Sequence, residues 1–179
     1  MSYMPMHELP PYEKHSYIRR VLADASLEFF FLSDRVYPYS VHWGPGRTVG
    51  HDNDEENCVG CILKWPAKIL CYSSIVHNAS GVVEVLELPH ESTERMHRIV
   101  GGCDCLRGTH VRAWRKGGKQ GQVMFELRTP FSKLVEHSQT KQLPKPLDIG
   151  SVLKRAWELN LKKLRVAHPD KLAEIVFSE

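Results

Sequence analysis

LRGTHVRAWRK at residues 106–116, GGKQG at 117–121 and QVMFELRT at 122–129 read as two strands joined by a glycine-rich turn. On the return strand Val123, Phe125 and Leu127 alternate with Gln122, Met124, Glu126 and Arg128, the two-residue period of a strand buried on one side. On the outgoing strand Val111 and Ala113 share one face, while His110, Arg112, Trp114 and Lys116 share the other. One face belongs to a core; the other is basic and aromatic.

Working outward, Leu27 opens the aromatic strand LEFFFL, which continues through SDRVYPYS to VHW with a bend at Pro38. ILCYSSIV (69–76) and VVEVLEL (82–88) form a second hairpin across HNASG, whose Asn and Gly tolerate positive φ, and Pro89 stops it. ESTERMHRIV (91–100) reads as a helix capped by Ser92 or Thr93, with Met96, Ile99 and Val100 as its apolar edge. Residues 16–25 read as a short helix or strand. A proline-marked linker covers 136–149. GSVLKRAWELNLKKLRVA (150–167) is a helix with Ser151 as cap and Val152, Ala156, Leu159 and Leu164 at helical spacing, ended by His168-Pro169. About five strands interrupted by one helix is what a small Greek-key barrel of the OB type requires. The expected fold is therefore mainly β (α+β): an arm at 1–15, an OB-like barrel at 16–135 carrying a metal loop at 42–61, the linker, and a helical segment at 150–179.

The 179 residues include 42% hydrophobic and 25% charged side chains, which excludes disorder as the main state. The net charge of +3 conceals an asymmetry. Residues 1–104 hold 9 basic and 14 acidic side chains, residues 105–179 hold 15 and 7, so the second half suits a polyanion. No apolar run reaches the roughly 20 residues of a membrane helix, and the start has no signal-peptide pattern; a soluble, cytoplasmic protein with no membrane partner is expected. Five cysteines with two close pairs, Cys58/Cys61 and Cys103/Cys105, suit a reducing compartment and metal use.

Residues 44–61, GPGRTVGHDNDEENCVGC, hold almost nothing that forms a core, so something other than hydrophobic burial must fix them. The series His42-x8-His51-x6-Cys58-x2-Cys61 supplies four potential ligands within 20 residues, and structural Zn²⁺ bound there would provide the missing folding energy. Cys71 or His77 on the next hairpin competes with His42 for the fourth position. The acids Asp52, Asp54, Glu55 and Glu56 are expected to be solvated rather than to orient ligands, and Cys103 and Cys105 to be small apolar fillers at a strand entrance.

The string HWGPGRTVGH…CVGC (42–61) resembles a motif of uncharacterised bacterial and mobile-element proteins, H-W-G-P-G-R-T followed by three cysteines, with His51 standing where the first cysteine would be. More distantly, a histidine followed by ligands ending in C-x2-C inside an OB barrel is similar to the single-stranded DNA-binding proteins of T4-like phages. That resemblance implies a zinc-braced barrel that holds single-stranded DNA.

Residues 107–119 contain Arg107, Arg112, Arg115, Lys116 and Lys119 without an acid, around Trp114. Cations that follow phosphates beside an aromatic face on which bases stack are the pattern of single-strand binders. With His110, and with Trp43, Arg47, Lys64, Lys68 and Tyr72 near the metal loop, they make the candidate nucleic-acid site. A basic hairpin that only discourages edge pairing is the plainer alternative, and Trp65 before Pro66 suits a cap over the barrel end. Lys154, Arg155, Lys162, Lys163 and Arg165 give the last helix a solvated face or a protein-partner surface. No phosphate-loop, His-x-Glu deaminase or His-Glu-x-x-His pattern is present. The expected function is non-enzymatic binding of single-stranded nucleic acid, DNA foremost. A zinc-stabilised protein adaptor is second, and a small zinc nuclease using His77-Asn78 third.

Overall fold

A computed structural model describes residues 17–45, 47–100, 105–128 and 143–172. The 1–15 arm, Cys103 and the linker as far as 142 lie outside them. The elements in chain order are β1 (Ile18–Arg20), β2 (Ser26–Phe31), β3 (Tyr37–Gly44), β4 (Arg47–Gly50), α1 (Val59–Ile62), β5 (Ala67–His77), β6 (Val83–Pro89), α2 (His90–Val100), β7 (His110–Lys116), β8 (Gln122–Leu127), α3 (Ile149–Ala167) and α4 (Pro169–Leu172). The protein is mainly β with a long C-terminal helix. It divides into two compact units, Met1–Tyr37 with Cys71–Ile149, and Pro38–Leu70 with Gly150–Glu179. These interleave along the chain, where the sequence reading expects consecutive segments.

In the first unit the strands follow the order β1-β6-β5-β2-β7-β8. The 106–129 hairpin forms as read, with six pairs from Val111↔Leu127 to Lys116↔Gln122; Gly117 and Gly118 sit at φ 93° and 79°, a conformation that favours glycine. β7 also pairs antiparallel with β2, Phe29↔Val111 and Leu27↔Ala113 among the partners. The inward residues Phe29, Phe31, Ile75, Leu86, Leu88, Val111, Ala113, Val123 and Phe125 meet Met96 and Val100 of α2 in one core. Each large side chain withdrawn from water in this way contributes about 1.5–3 kcal/mol before entropy is counted.

Two expectations change here. The sheet does not close into a barrel: β1 and β8 end the order and do not pair among the described residues. The outer edge of β6, which a closing strand would need, is occupied by β1 in parallel register, Ile18↔Val85 to Arg20↔Glu87. Arg19 fastens it through two 3.0 Å bonds to buried Glu84, and Arg20 through a 2.6 Å bond to buried Glu87. Breaking these charge pairs is costly because each buried carboxylate would lose its cation and keep one polar partner, His77 for Glu84 and the Tyr72 hydroxyl for Glu87. Also, α2 starts at His90, so Ser92 and Thr93 lie buried within its first turn; the Thr93 hydroxyl donates to the His90 carbonyl at 2.6 Å.

The second unit corrects the view that residues 44–61 lack a core. Arg47–Gly50 forms β4, paired with β3 from Val41↔Gly50 to Gly44↔Arg47. Val49 and Val59 are buried with Leu164 and Leu172, fringed by Ile62, Leu63, Trp65 and Leu161. The apolar partners come from α3 and α4, more distant in sequence than any local pattern reveals. α3 begins at Ile149, which places Ser151 inside the first turn rather than at the cap.

Candidate metal centre and hairpin face

The metal centre grows from one turn of helix. Cys58 is the extended residue before α1 (φ −75°, ψ 111°) and Cys61 lies within it, so the two-residue spacing turns both sulfurs toward one point. The helix ends in a Schellman closure: Trp65 N–H donates to the Gly60 carbonyl at 2.9 Å and Lys64 N–H to the Cys61 carbonyl at 3.0 Å. Lys64 therefore adopts φ 56°, a left-handed conformation unusual for a non-glycine residue.

This closure presents the Trp65 carbonyl to His42, whose Nδ1–H donates to it at 2.8 Å. The tautomer that makes this bond leaves Nε2 bare, as a metal-binding imidazole requires. His42 Nε2 lies 2.7 Å from His51 Nδ1 and 3.4 Å from Cys61 Sγ, and His51 Nδ1 lies 3.8 Å from both sulfurs. All four ligand atoms fall within 4.8 Å of one another. Tetrahedral zinc, with bonds of about 2.0–2.3 Å, needs ligand atoms roughly 3.3–3.8 Å apart. The His₂Cys₂ set is compatible with such an ion. Burial, then the neighbouring Cys58 thiol and the Glu55 charge, push the Cys61 thiol up.

The glycines of this region give room to rings. A Cβ on Gly60 would lie 2.1 Å from the His42 ring, one on Gly44 2.1 Å from Trp65, and one on Gly50 2.7 Å from Trp157. The acids are exposed, yet they shape the loop. Asp52 Oδ1 accepts from Asp54 N–H, Asp54 accepts from Glu56 N–H and Asn57 Nδ2, and the Asp52 N–H points at Cys58 Sγ at 3.5 Å.

The competing ligands are engaged elsewhere. Cys71 Sγ lies 3.5 Å from His90 Nδ1, and burial pushes its thiol up. His77 Nε2 contacts Glu84, and Asn78 donates to Glu28, so the pair proposed for a nuclease is tied to carboxylates of the sheet. Cys105 is exposed and donates to Asp34 Oδ1 at 3.3 Å, which corrects its reading as an apolar filler.

The candidate nucleic-acid residues separate into two groups. Arg112 and Trp114 stand on the outer face of β7, the guanidinium carbon 5.8 Å from the indole centroid. They border a concavity of about 460 Å³ with Ala23, Asp24, Ala25, Ser26 and Arg115. Lys116 and Lys119 are exposed at the tip.

Others have structural duties. Arg107 donates to the Leu32 carbonyl at 2.7 Å and to the Leu143 and Pro144 carbonyls. Arg115 shares the inward parity of Val111 and Ala113 and donates to the Val21 and Gly121 carbonyls at 2.5 and 2.8 Å. His110 stacks on Phe30 with centroids 4.2 Å apart, its Nε2 2.8 Å from Glu28. Tyr72 is fully buried and donates to Glu87 at 3.0 Å, so it cannot meet a ligand. In the second unit Lys68 Nζ sits 3.5 Å above the Trp43 ring, Arg47 faces Gly44 across the β3–β4 turn, and Lys64 closes the metal knuckle.

The sheet register also adds what the hairpin sequence lacks. Glu28 of β2 and Glu126 of β8 lie on either side of Arg112. The outer face thus carries both signs, and the net positive charge moves to the tip. Asp24 and Ser26 escape a sequence reading because only the β2–β7 register brings them beside Trp114; Gly60 inside Cys58-x2-Cys61 was the visible sign of a close approach.

No helix among the described residues is long and apolar enough to cross a membrane. No protein-family model matches the chain, and comparisons with curated proteins and with solved structures find no match.

Proposed function

We propose that this is a non-enzymatic, zinc-stabilised protein that binds single-stranded nucleic acid on the outer face and tip of the β7–β8 hairpin. The observation that carries the reading is the half-exposed Trp114, paired with Arg112 at the mouth of an open concavity. An indole left at a wet surface beside a guanidinium gives bases a stacking platform worth about 1–3 kcal/mol per base. Lys116 and Lys119, exposed at the tip, supply the phosphate contacts. The strand order supports an OB-like ancestry: β2 lies between β5 and β7, and α2 joins β6 to β7, as the first strand and the helix do in OB barrels. His42, His51, Cys58 and Cys61 would hold Zn²⁺, which contributes folding energy rather than chemistry.

Fluorescence anisotropy with labelled single- and double-stranded oligonucleotides across a salt series tests this. Single strands bind more tightly, with a log K against log salt slope near −1.4, since about two phosphates are neutralised at roughly 0.7 each. Trp114→Ala weakens binding about tenfold. No affinity at low salt overturns the proposal. The second reading is a protein adaptor, favoured by the mixed charge of Glu28, Arg112 and Glu126 and by the exposed basic side of α3, where Val166 is 84% exposed.

A further inference from the structure

We infer that the concavity beside Trp114 is a subsite for one unpaired guanine, an inference that rests on the strand-binding reading above. Four features of the first unit meet there. Trp114 offers an aromatic surface, Arg112 a guanidinium, Asp24 a carboxylate and Ser26 a hydroxyl, and Ser26 stands directly across the ladder from Trp114. Ala23 and Ala25 keep the remaining wall small. The volume of about 460 Å³ is ample for a single base.

The polar groups are uncommitted. Among the described residues the Asp24 carboxylate, the Ser26 hydroxyl and the Arg112 guanidinium make no hydrogen bond or ion pair, Arg112 resting only beside the Trp114 ring, although Arg115 of the same wall is tied to backbone carbonyls. A guanidinium presents paired donors in a fork and a carboxylate presents paired acceptors. The best ligand therefore carries two adjacent acceptors on one edge and two adjacent donors on another.

Among the four bases that description selects guanine. O6 and N7 face an arginine as a pair, and N1–H and the N2 amine face a carboxylate. Adenine and cytosine place a donor beside an acceptor on the corresponding edges, and thymine has a single N–H between two carbonyls. Stacking on Trp114 holds any base; Arg112 with Asp24 distinguishes this one. Glu28 and Glu126 beside Arg112 reinforce the choice, because they disfavour a phosphate at the position where a neutral base is accepted.

The test uses the full zinc-loaded chain and a short labelled oligo(dT) carrying one central dG, dA, dC or inosine, read by anisotropy. A single dG tightens binding roughly tenfold over oligo(dT) itself, the discrimination of one good bidentate pair. Inosine, which lacks the N2 amine, loses most of that gain. Asp24→Asn brings the dG-to-dT ratio within about twofold of one, in keeping with loss of the same pair. An oligo(rU) series with one rG, and guanosine monophosphate as competitor, tell DNA, RNA and mononucleotide apart. Equal affinity for all four bases, or a dG preference that survives Asp24→Asn, overturns the guanine subsite while strand binding stands. Absence of binding to every oligonucleotide overturns both.

Discussion

The two units of the molecule reach order by different means. In the first, thirteen buried apolar residues, eleven of them from five strands and one helix and the other two Val21 and Leu106 from connecting segments, form a continuous core. In the second, a smaller cluster of Val49, Val59, Leu164 and Leu172 joins a strand pair, a helical turn and part of a long helix, with Val41, Leu70, Val152 and Leu153 also buried in that unit. Where the apolar contribution is small, the chain instead supplies His42, His51, Cys58 and Cys61 within bonding reach of one ion. A small unit needs a staple, and a large one can dispense with it. The difference also separates what each substitution should do.

The sharpest test of that contrast is to deny the His₂Cys₂ group the zinc proposed for it. Chelation, or Cys58→Ser, should cost the second unit on the order of 10 kcal/mol of binding-linked folding energy, read as loss of zinc and a shift in tryptophan emission from Trp65 and Trp157. The hydrogen-exchange protection of β2, β5 and β7 should persist, and simultaneous collapse of both units would break the comparison. Acid works in the same direction. Each cysteine must release a proton to bind, and the Cys61 thiol is already held up, so zinc content falls as pH is lowered and is regained as it is raised.

Phe31→Ala is the counterpart in the first unit. Its ring is fully buried and meets Phe29 edge-on with centroids 5.1 Å apart, so truncation should cost about 3–5 kcal/mol in urea unfolding while zinc content stays unchanged. Gly60→Ala is smaller, about 1–3 kcal/mol of overpacking against His42, and it should lower zinc affinity because the displaced ring is a ligand. Smallest is Lys64→Gly. Relieving φ 56° should stabilise the knuckle by up to about 1 kcal/mol, a gain in thermal midpoint visible only in the metal-bound protein.

Legibility in the sequence followed the same division. The β7–β8 hairpin, the β5–β6 hairpin, α2 and α3 were readable because period and turn residues are local signals. The ligand quartet was readable because its members lie within 20 residues. What stayed hidden depends on distant pairing. β4 joins Leu164 and Leu172; β1 takes the edge of β6; and the register of β2 sets Glu28 against Arg112 and Asp24 near Trp114. Arg107, Arg115 and Tyr72 were misplaced for one reason: residue type declares a charge or a ring, but not whether a backbone carbonyl or a buried Glu87 has already claimed it.

The interleaving of the second unit bears on the order of events during synthesis. Val49 and Val59 leave the ribosome well before Leu164 and Leu172, the residues that complete their packing. The four ligands, by contrast, are all available once Cys61 has emerged. In a nascent chain emerging in this order, the four side chains that could hold an ion are together in hand long before the partners that shed water from this core.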